Sequence, residues 1–181
     1  MSQEDIFRDP RTRSVAWRDL VPVRHAGIVA ELLLPAGWLA ASLVAAEFRW
    51  YVPAPGLSFV FFLAGLRVVH NAFHCAPGLP RWANDGVLWV MSVVMPGSLH
   101  AVRFNHLRHH RPPPGEEDVE GRSAEMVWWR ALLFGPEFTR LLHATALRKG
   151  TAELRAVVAG ELILSAAWIA FVFGVSGSRV L

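Results

Sequence analysis

Three long apolar segments alternate with charged stretches along the chain. They cover about residues 26–48, 57–75 and 156–175. Each approaches or exceeds the roughly 20 apolar residues with which an α-helix crosses the hydrocarbon core of a bilayer. Pro53, Pro55 and Gly56 predict a tight turn between the first two segments. The pattern therefore predicts an all-α integral membrane protein with a transmembrane hairpin and a third transmembrane helix.

Two further apolar stretches are broken by polar residues and predict helices at the membrane interface. They cover about residues 86–110 and 126–147. The first offers only about 14 residues before His100 and Arg103, too few to span a bilayer, so we expect an interfacial or re-entrant helix. The second has apolar residues at helical spacing between arginines, which is typical of a helix lying on the membrane surface.

Few charged residues interrupt the predicted spans. Glu31 and Glu47 lie near the ends of the first span, where a carboxylate reaches the headgroup region, so we interpret them as solvated terminal charges. Arg67 is the single charge of the second span and is expected to reach a lipid phosphate or to help hold a substrate headgroup or an electron donor. Glu161 is the single charge of the third span and lies near its beginning.

The composition supports the membrane assignment, since 53% of the residues are hydrophobic and the mean hydropathy is positive. The net charge of +3 does not indicate nucleic-acid binding, because the basic residues are spread between apolar blocks. Lysines and arginines concentrate in residues 1–25 and 76–155, which predicts a cytoplasmic N-terminal segment. The single cysteine, Cys75, excludes an intrachain disulfide.

Histidines are concentrated in one stretch, with six of the eight between residues 70 and 110. His70 and His74 are four residues apart, so they share one helical face. His106, His109 and His110 repeat the arrangement at intervals of three and four residues. Imidazole suits iron, zinc, copper and nickel. The pattern therefore predicts two sets of metal ligands at one membrane face, the cytoplasmic one.

Other interpretations of the histidines have less support in the sequence. His100 and His143 are further candidate ligands, although a single histidine at an interface is more often a hydrogen-bonded structural residue. The zinc-protease pattern H-E-x-x-H fails because Asn71 occupies the position of its glutamate. The Glu-x-x-His pattern of carboxylate di-iron bundles is also absent from the sequence.

The segments His70-Asn-Ala-Phe-His74 and His106-Leu-Arg-His109-His110 resemble the first two histidine boxes, H-x(3)-H and H-x(2)-H-H, of the membrane fatty acid desaturase superfamily. That superfamily also includes carotenoid ketolases and hydroxylases. The resemblance covers roughly residues 20–175 and implies a membrane desaturase-like domain over residues 26–181. It implies two iron ions, with the five clustered histidines as ligands and no catalytic residue beyond them.

The third histidine box of that superfamily, a second H-x(2)-H-H, has no counterpart in this sequence, because His143 is the one histidine after His110. The resemblance therefore implies an incomplete site. We expect a truncated desaturase that is inactive alone; the alternatives are a site completed by another subunit and a non-catalytic membrane remnant.

The implied reaction is the O₂-dependent introduction of a double bond into the acyl chain of a membrane lipid or other acyl substrate. A carotenoid ketolase or hydroxylase of the same superfamily is the alternative. The chain has no pattern for ligating haem or an iron–sulfur cluster, so electrons are expected from a separate ferredoxin-like or cytochrome-like donor. Arg67, Arg103 and Arg108 are candidate residues for docking the substrate or this donor.

Overall fold

A computed structural model describes residues 25–110 and 118–177, and these residues form helices and no strand. The predicted cytoplasmic segment before residue 25 lies outside the described residues, as do Glu116 and Glu117. The helices are α1 (His25–Glu47), α2 (Pro53–Phe73), α3 (Arg81–Val94), α4 (Leu99–His109), α5 (Trp128–Leu133), α6 (Gly135–Lys149) and α7 (Ala152–Gly177). A short 3₁₀ helix, Gly121–Glu125, precedes α5.

Three of these helices, α1, α2 and α7, are long and apolar enough to cross a membrane. This confirms the prediction of an all-α integral membrane protein with a hairpin and a third span. The turn of the hairpin lies earlier than predicted, because Pro53 is the first residue of α2. Proline is well tolerated there, since the first residues of a helix have no intrahelical partner for their N–H groups. The chain instead reverses around Arg49, whose φ is 59°.

Polar contacts between α1 and α2 stabilise the hairpin. Ser42 Oγ donates to the Ala54 carbonyl at 3.0 Å and lies 2.6 Å from Ser58 Oγ. Glu31 is an ion-pair partner rather than the solvated terminal charge expected from the sequence, because its Oε1 lies 2.6 Å from Arg67 Nε. Helical periodicity shows which residues of one span share a face. It does not show which residues of the other span they will contact.

The predicted interfacial helix of residues 86–110 is two helices, α3 and α4, which are bent by 118° at their junction. Pro96 and Gly97 lie at this junction, and Gly97 has a φ of 149° that favours glycine. Ser98 caps α4 by accepting a hydrogen bond from the Ala101 N–H. A bend beyond a right angle turns the chain back toward the side from which it came. The pair therefore has the shape of a re-entrant segment.

The predicted surface helix of residues 126–147 is also divided, into α5 and α6, with Gly135 and Pro136 at the start of the second part. Apolar side chains of α2, α3 and the re-entrant junction form the main buried cluster. Gly65 lets α2 approach this junction closely, because a Cβ there would lie 2.7 Å from Met95 Sδ. Close contact between α2 and the α3–α4 pair brings the last turn of α2 beside α4.

Candidate metal centre

The first histidine pair lies where α2 ends. His70 belongs to the last turn, and His74 is the residue that caps the helix after Phe73. The two imidazole rings are 4.9 Å apart between centroids. Cys75 follows with a φ of 51°, so the backbone leaves the helix directly after the second histidine. The two rings therefore lie side by side beyond the apolar part of the span.

The second group lies at the end of α4, with His110 as its cap residue. His106 and His110 have ring centroids 4.6 Å apart and Nε2 atoms 3.1 Å apart. The ring of His109 lies 5.7 Å from that of His110. The spacing of four residues thus places the rings of His106 and His110 on one face, and His109 contacts the ring of His110.

The two groups meet across the gap between α2 and α4. The Nε2 atoms of His74 and His106 are 3.0 Å apart. One ligand atom each from His70, His74 and His106 lies within 4.8 Å of the others. Nitrogens that share one metal ion at about 2.0–2.1 Å each lie roughly 3 Å apart, so this separation is suitable for a common ion. Residues more than 30 positions apart in sequence therefore form one cluster.

Two carboxylates contact the far side of this cluster. Glu120 Oε2 accepts from His106 Nδ1 at 2.9 Å, and Asp118 Oδ2 accepts from His109 Nδ1 at 2.6 Å. A carboxylate that accepts from Nδ1 fixes the proton there and leaves the Nε2 lone pair for a metal ion. The sequence analysis did not assign either residue to the site. The available signal was their position shortly after the second histidine group.

The electrostatic environment of His74 favours its neutral form. Partial desolvation lowers the pKa of His74, and repulsion from protonated His106, His70 and His110 lowers it further. The pKa of Asp118 is also lowered. Desolvation would raise it, but hydrogen bonds from His109 and from the backbone of Gly121 outweigh that effect. Neutral imidazoles beside ionised carboxylates are the protonation states that metal binding requires.

The two further candidate ligands make other contacts. His100 Nδ1 lies 2.7 Å from Glu161 Oε1. His143 Nε2 accepts from the Ser98 N–H at 2.8 Å, while its Nδ1 donates to the Thr139 carbonyl at 2.7 Å. Both nitrogens of His143 are therefore occupied by backbone groups.

The three arginines expected at a docking surface are in different environments. Arg67 pairs with Glu31 and keeps 66% of its side chain exposed. Arg103 Nη1 donates to Asp85 at 2.7 Å, and its side chain is largely buried. The guanidinium of Arg108 lies over the Phe104 ring, 5.3 Å from its centroid. Their docking roles stay predictions.

A comparison with known families now adds to this geometry. Residues 48–181, more than half of the chain, match the family described as fatty acid desaturase. The chain belongs to the fatty acid desaturase family. No curated protein and no solved structure matches it significantly. Desaturases of this family act on lipid or acyl substrates and are generally di-iron proteins, usually with a separate electron donor.

The donor set of this desaturase fits iron. Imidazole is a ligand that suits iron, and the rings come from two helices that pack against each other. The tautomer of His106 and of His109 is held by a carboxylate, as in well-built metal sites. His70, His74 and His106 form a group that could hold one ion, and His110 contacts His74 and His106 beside it.

Proposed function

We propose that this chain binds iron through its two histidine groups and that the site, once further ligands complete it, uses O₂ to introduce a double bond into an acyl chain. The ligands are His70, His74, His106, His109 and His110. The observation that carries the proposal is the 3.0 Å approach of the Nε2 atoms of His74 and His106, because it joins the two groups into one donor cluster. Family membership supports the reaction class.

Each part of the site has a separate task. Asp118 and Glu120 keep protons on the Nδ1 atoms of His109 and His106, so that their Nε2 atoms bind metal. Iron, when bound, supplies the activation of O₂ that removes hydrogens from an unactivated methylene. Two ions require more ligands than these five histidines, so a two-iron centre would need further donors, such as those of a second subunit.

We also propose that the site faces the cytoplasm and receives electrons from a separate ferredoxin-like or cytochrome-like protein. The excess of lysine and arginine between residues 76 and 155 supports the orientation. The absence of a haem or iron–sulfur ligation pattern in the sequence supports a separate donor. Arg108, which is partly exposed on α4 beside the histidines, is a candidate contact for an acidic donor.

The proposal is tested with the full chain reconstituted in lipid nanodiscs. Iron content after anaerobic loading is compared between the wild type, His74→Ala and a control, His143→Gln, which changes a histidine outside the cluster. We expect the wild type and the control to retain iron and His74→Ala to lose it. Equal iron in all three proteins contradicts the proposed ligands.

The reaction is tested separately by expressing the same three proteins in cells and analysing their products. An acyl double bond that depends on His74 supports desaturation. A His74-dependent ketone or alcohol on a carotenoid supports the alternative within the superfamily and excludes the proposed product. Wild-type protein that binds iron but yields no His74-dependent product, with a donor supplied, is the result expected of an incomplete site that is inactive alone.

A further inference from the structure

A carboxylate lies inside the third span. Glu161 is in the third turn of α7, and its side chain has no exposed surface. A buried carboxylate in a membrane protein is costly unless hydrogen bonds or an opposite charge compensate for the lost water. The sequence placed this residue near the beginning of the span and gave no reason for its charge.

The compensation comes entirely from the re-entrant segment. Ser92 Oγ donates to Glu161 Oε1 at 2.7 Å, and Ser98 Oγ donates to Oε2. The His100 backbone N–H donates to Oε2 at 3.3 Å, and the His100 ring lies 2.7 Å from Oε1 through Nδ1. One side chain of α7 therefore contacts the end of α3, the junction and the start of α4.

A chain of polar side chains continues from this carboxylate. His100 Nε2 lies 3.8 Å from Asp85 Oδ1, and Asp85 accepts from Arg103 at 2.7 Å. These side chains therefore connect α7, α4 and α3.

A second α7 residue contacts the same junction. Ser165 Oγ donates to the Ser92 carbonyl at 2.8 Å, and the Gly97 N–H donates to Ser165 Oγ at 3.4 Å. Ser92 Oγ itself accepts from the Leu99 N–H at 3.0 Å. Helix ends leave backbone groups without intrahelical partners, and here α7 and Ser92 satisfy several of them. The re-entrant bend thus depends on the third span for its polar contacts.

We propose that Glu161 is a positioning residue that fixes α4 so that His106 faces His74, an inference that rests on the proposed metal centre. His106 follows His100 by six residues, which is about 9 Å along a helix. A rigid helix held at His100 therefore sets the position of the His106 ring. Movement of α4 by even about 1 Å disturbs a ligand geometry in which metal–nitrogen distances vary by only about 0.2 Å.

If Glu161 had a purely structural role, its variants would give a different result. Removing one partner of a buried ionic group destabilises the fold, because the other partners lose their hydrogen bonds. If Glu161 has only this structural role, its variants lower the thermal midpoint but leave the cluster geometry of the folded protein intact. If it positions α4, Glu161→Leu and Glu161→Gln loosen the cluster even where the protein stays folded.

The first measurement is Co²⁺ binding by the full chain in nanodiscs, followed by visible absorption. We expect Glu161→Gln to weaken Co²⁺ binding about 10-fold and Glu161→Leu about 100-fold, the range found when outer partners of metal ligands are removed. The matched control is Glu137→Gln, which removes a carboxylate from an exposed pair on α6, and it should bind within about twofold of the wild type.

The second measurement needs no metal. Spin labels are placed on Cys75, the single cysteine of the chain and the neighbour of His74, and on Arg108→Cys in α4. Electron paramagnetic resonance should give a narrow distance distribution in the otherwise wild-type protein and in Glu137→Gln, and a broader one in both Glu161 variants. Should a Glu161 variant fail to fold, Ser98→Ala and Ser92→Ala each remove one donor, and we expect about threefold weaker Co²⁺ binding.

The outcomes separate this inference from the proposed function. Wild-type protein that does not bind Co²⁺ contradicts the metal centre. Wild-type protein that binds Co²⁺, together with Glu161 variants of equal affinity and unchanged spin distances, overturns the positioning role alone. As a further check, His100→Gln combined with Glu161→Gln should bind no more weakly than the weaker single variant, because both changes break the same contact.

Discussion

Two regions of this desaturase pair histidines with carboxylates, and they differ in what the second ring nitrogen meets. At the end of α4, Glu120 accepts from His106 Nδ1, and Nε2 points to the other imidazoles. In the interior, His100 faces Glu161 with one nitrogen and Asp85 with the other. The first arrangement directs a lone pair to a shared point, whereas the second encloses the ring between two acids. In the first, a metal ion would replace contacts between imidazole nitrogens; in the second, it would displace a carboxylate.

The two regions also differ in exposure. The carboxylates of Asp118 and Glu120 keep 15% and 18% of their side chains exposed, whereas Glu161 has none. Water that reaches a contact competes with it, so the outer contacts are weaker than those of Glu161. Buried contacts are expensive to break, so the interior network fixes the positions of helices. Changes at the outer site should therefore affect metal binding, and changes in the interior should affect stability as well.

The largest effect is expected from His106→Ala. Its Nε2 lies near both His74 and His110, so the change removes the ligand that connects α2 with α4. Loss of an outer partner already costs about 10–100-fold in metal affinity, and loss of the ligand itself should cost more than about 100-fold. Isothermal titration with Co²⁺ measures this, with circular dichroism as the control for folding. Wild-type affinity in a folded His106→Ala protein contradicts the cluster.

The next largest effect is expected from the double variant Asp118→Asn and Glu120→Gln. Neutral amides no longer select the Nδ1–H tautomer, so Co²⁺ affinity should fall about 10–100-fold. The thermal midpoint of the metal-free protein should change little, because these contacts lie at the outer end of α4. A large fall in thermal stability with unchanged affinity would mean that the two carboxylates stabilise the fold and do not orient metal ligands.

A smaller effect is expected from His143→Ala, and it should concern thermal stability rather than metal affinity. The change leaves the Ser98 N–H without its acceptor at the re-entrant junction. An unsatisfied buried group costs roughly 1–3 kcal/mol, so the thermal midpoint should fall by several degrees. Co²⁺ affinity should stay within about threefold, in contrast to His106→Ala. A loss of binding as large as that of His106→Ala would make His143 a ligand.

The smallest effect is expected from Glu137→Gln. Arg140 donates hydrogen bonds to Glu137 and holds the pKa of that carboxyl below its ordinary value. A lowered pKa contributes stability above the ordinary value of about 4.3, and this is lost as the pH falls through the lowered pKa. Because both side chains are exposed, the thermal midpoints of variant and wild type should coincide at pH 7 and again at low pH. A resolved difference at pH 7 would show that exposed pairs matter here.

Much of the fold was predictable from local patterns. The three spans follow from runs of apolar residues, and each histidine group follows from helical spacing. Element boundaries were less certain. Pro53 begins α2 rather than forming the turn, and residues 86–110 and 126–147 are each divided at a proline and a glycine. A proline is compatible with both a turn and a first helical residue, so the sequence did not distinguish them.

Part of the candidate metal centre could be predicted from the sequence. Its histidines could be named because their spacing within one helix requires a common face. Asp118 and Glu120 could not, since the path of the chain after α4 decides whether acidic residues contact the rings or the solvent. The same limit applies to Glu31 and Arg67, which the sequence assigned separately and the structure pairs.

The sequence by itself determined the membrane class, the number of long spans and the two histidine groups, because these depend on apolar length and helical periodicity. Tertiary structure alone decided which groups those ligands meet and why α7 carries a charge. α7 is apolar on every side, so its composition does not reveal the face that packs on α3 and α4. That face holds Glu161, and only packing brings it to the serines and His100 that satisfy its carboxylate.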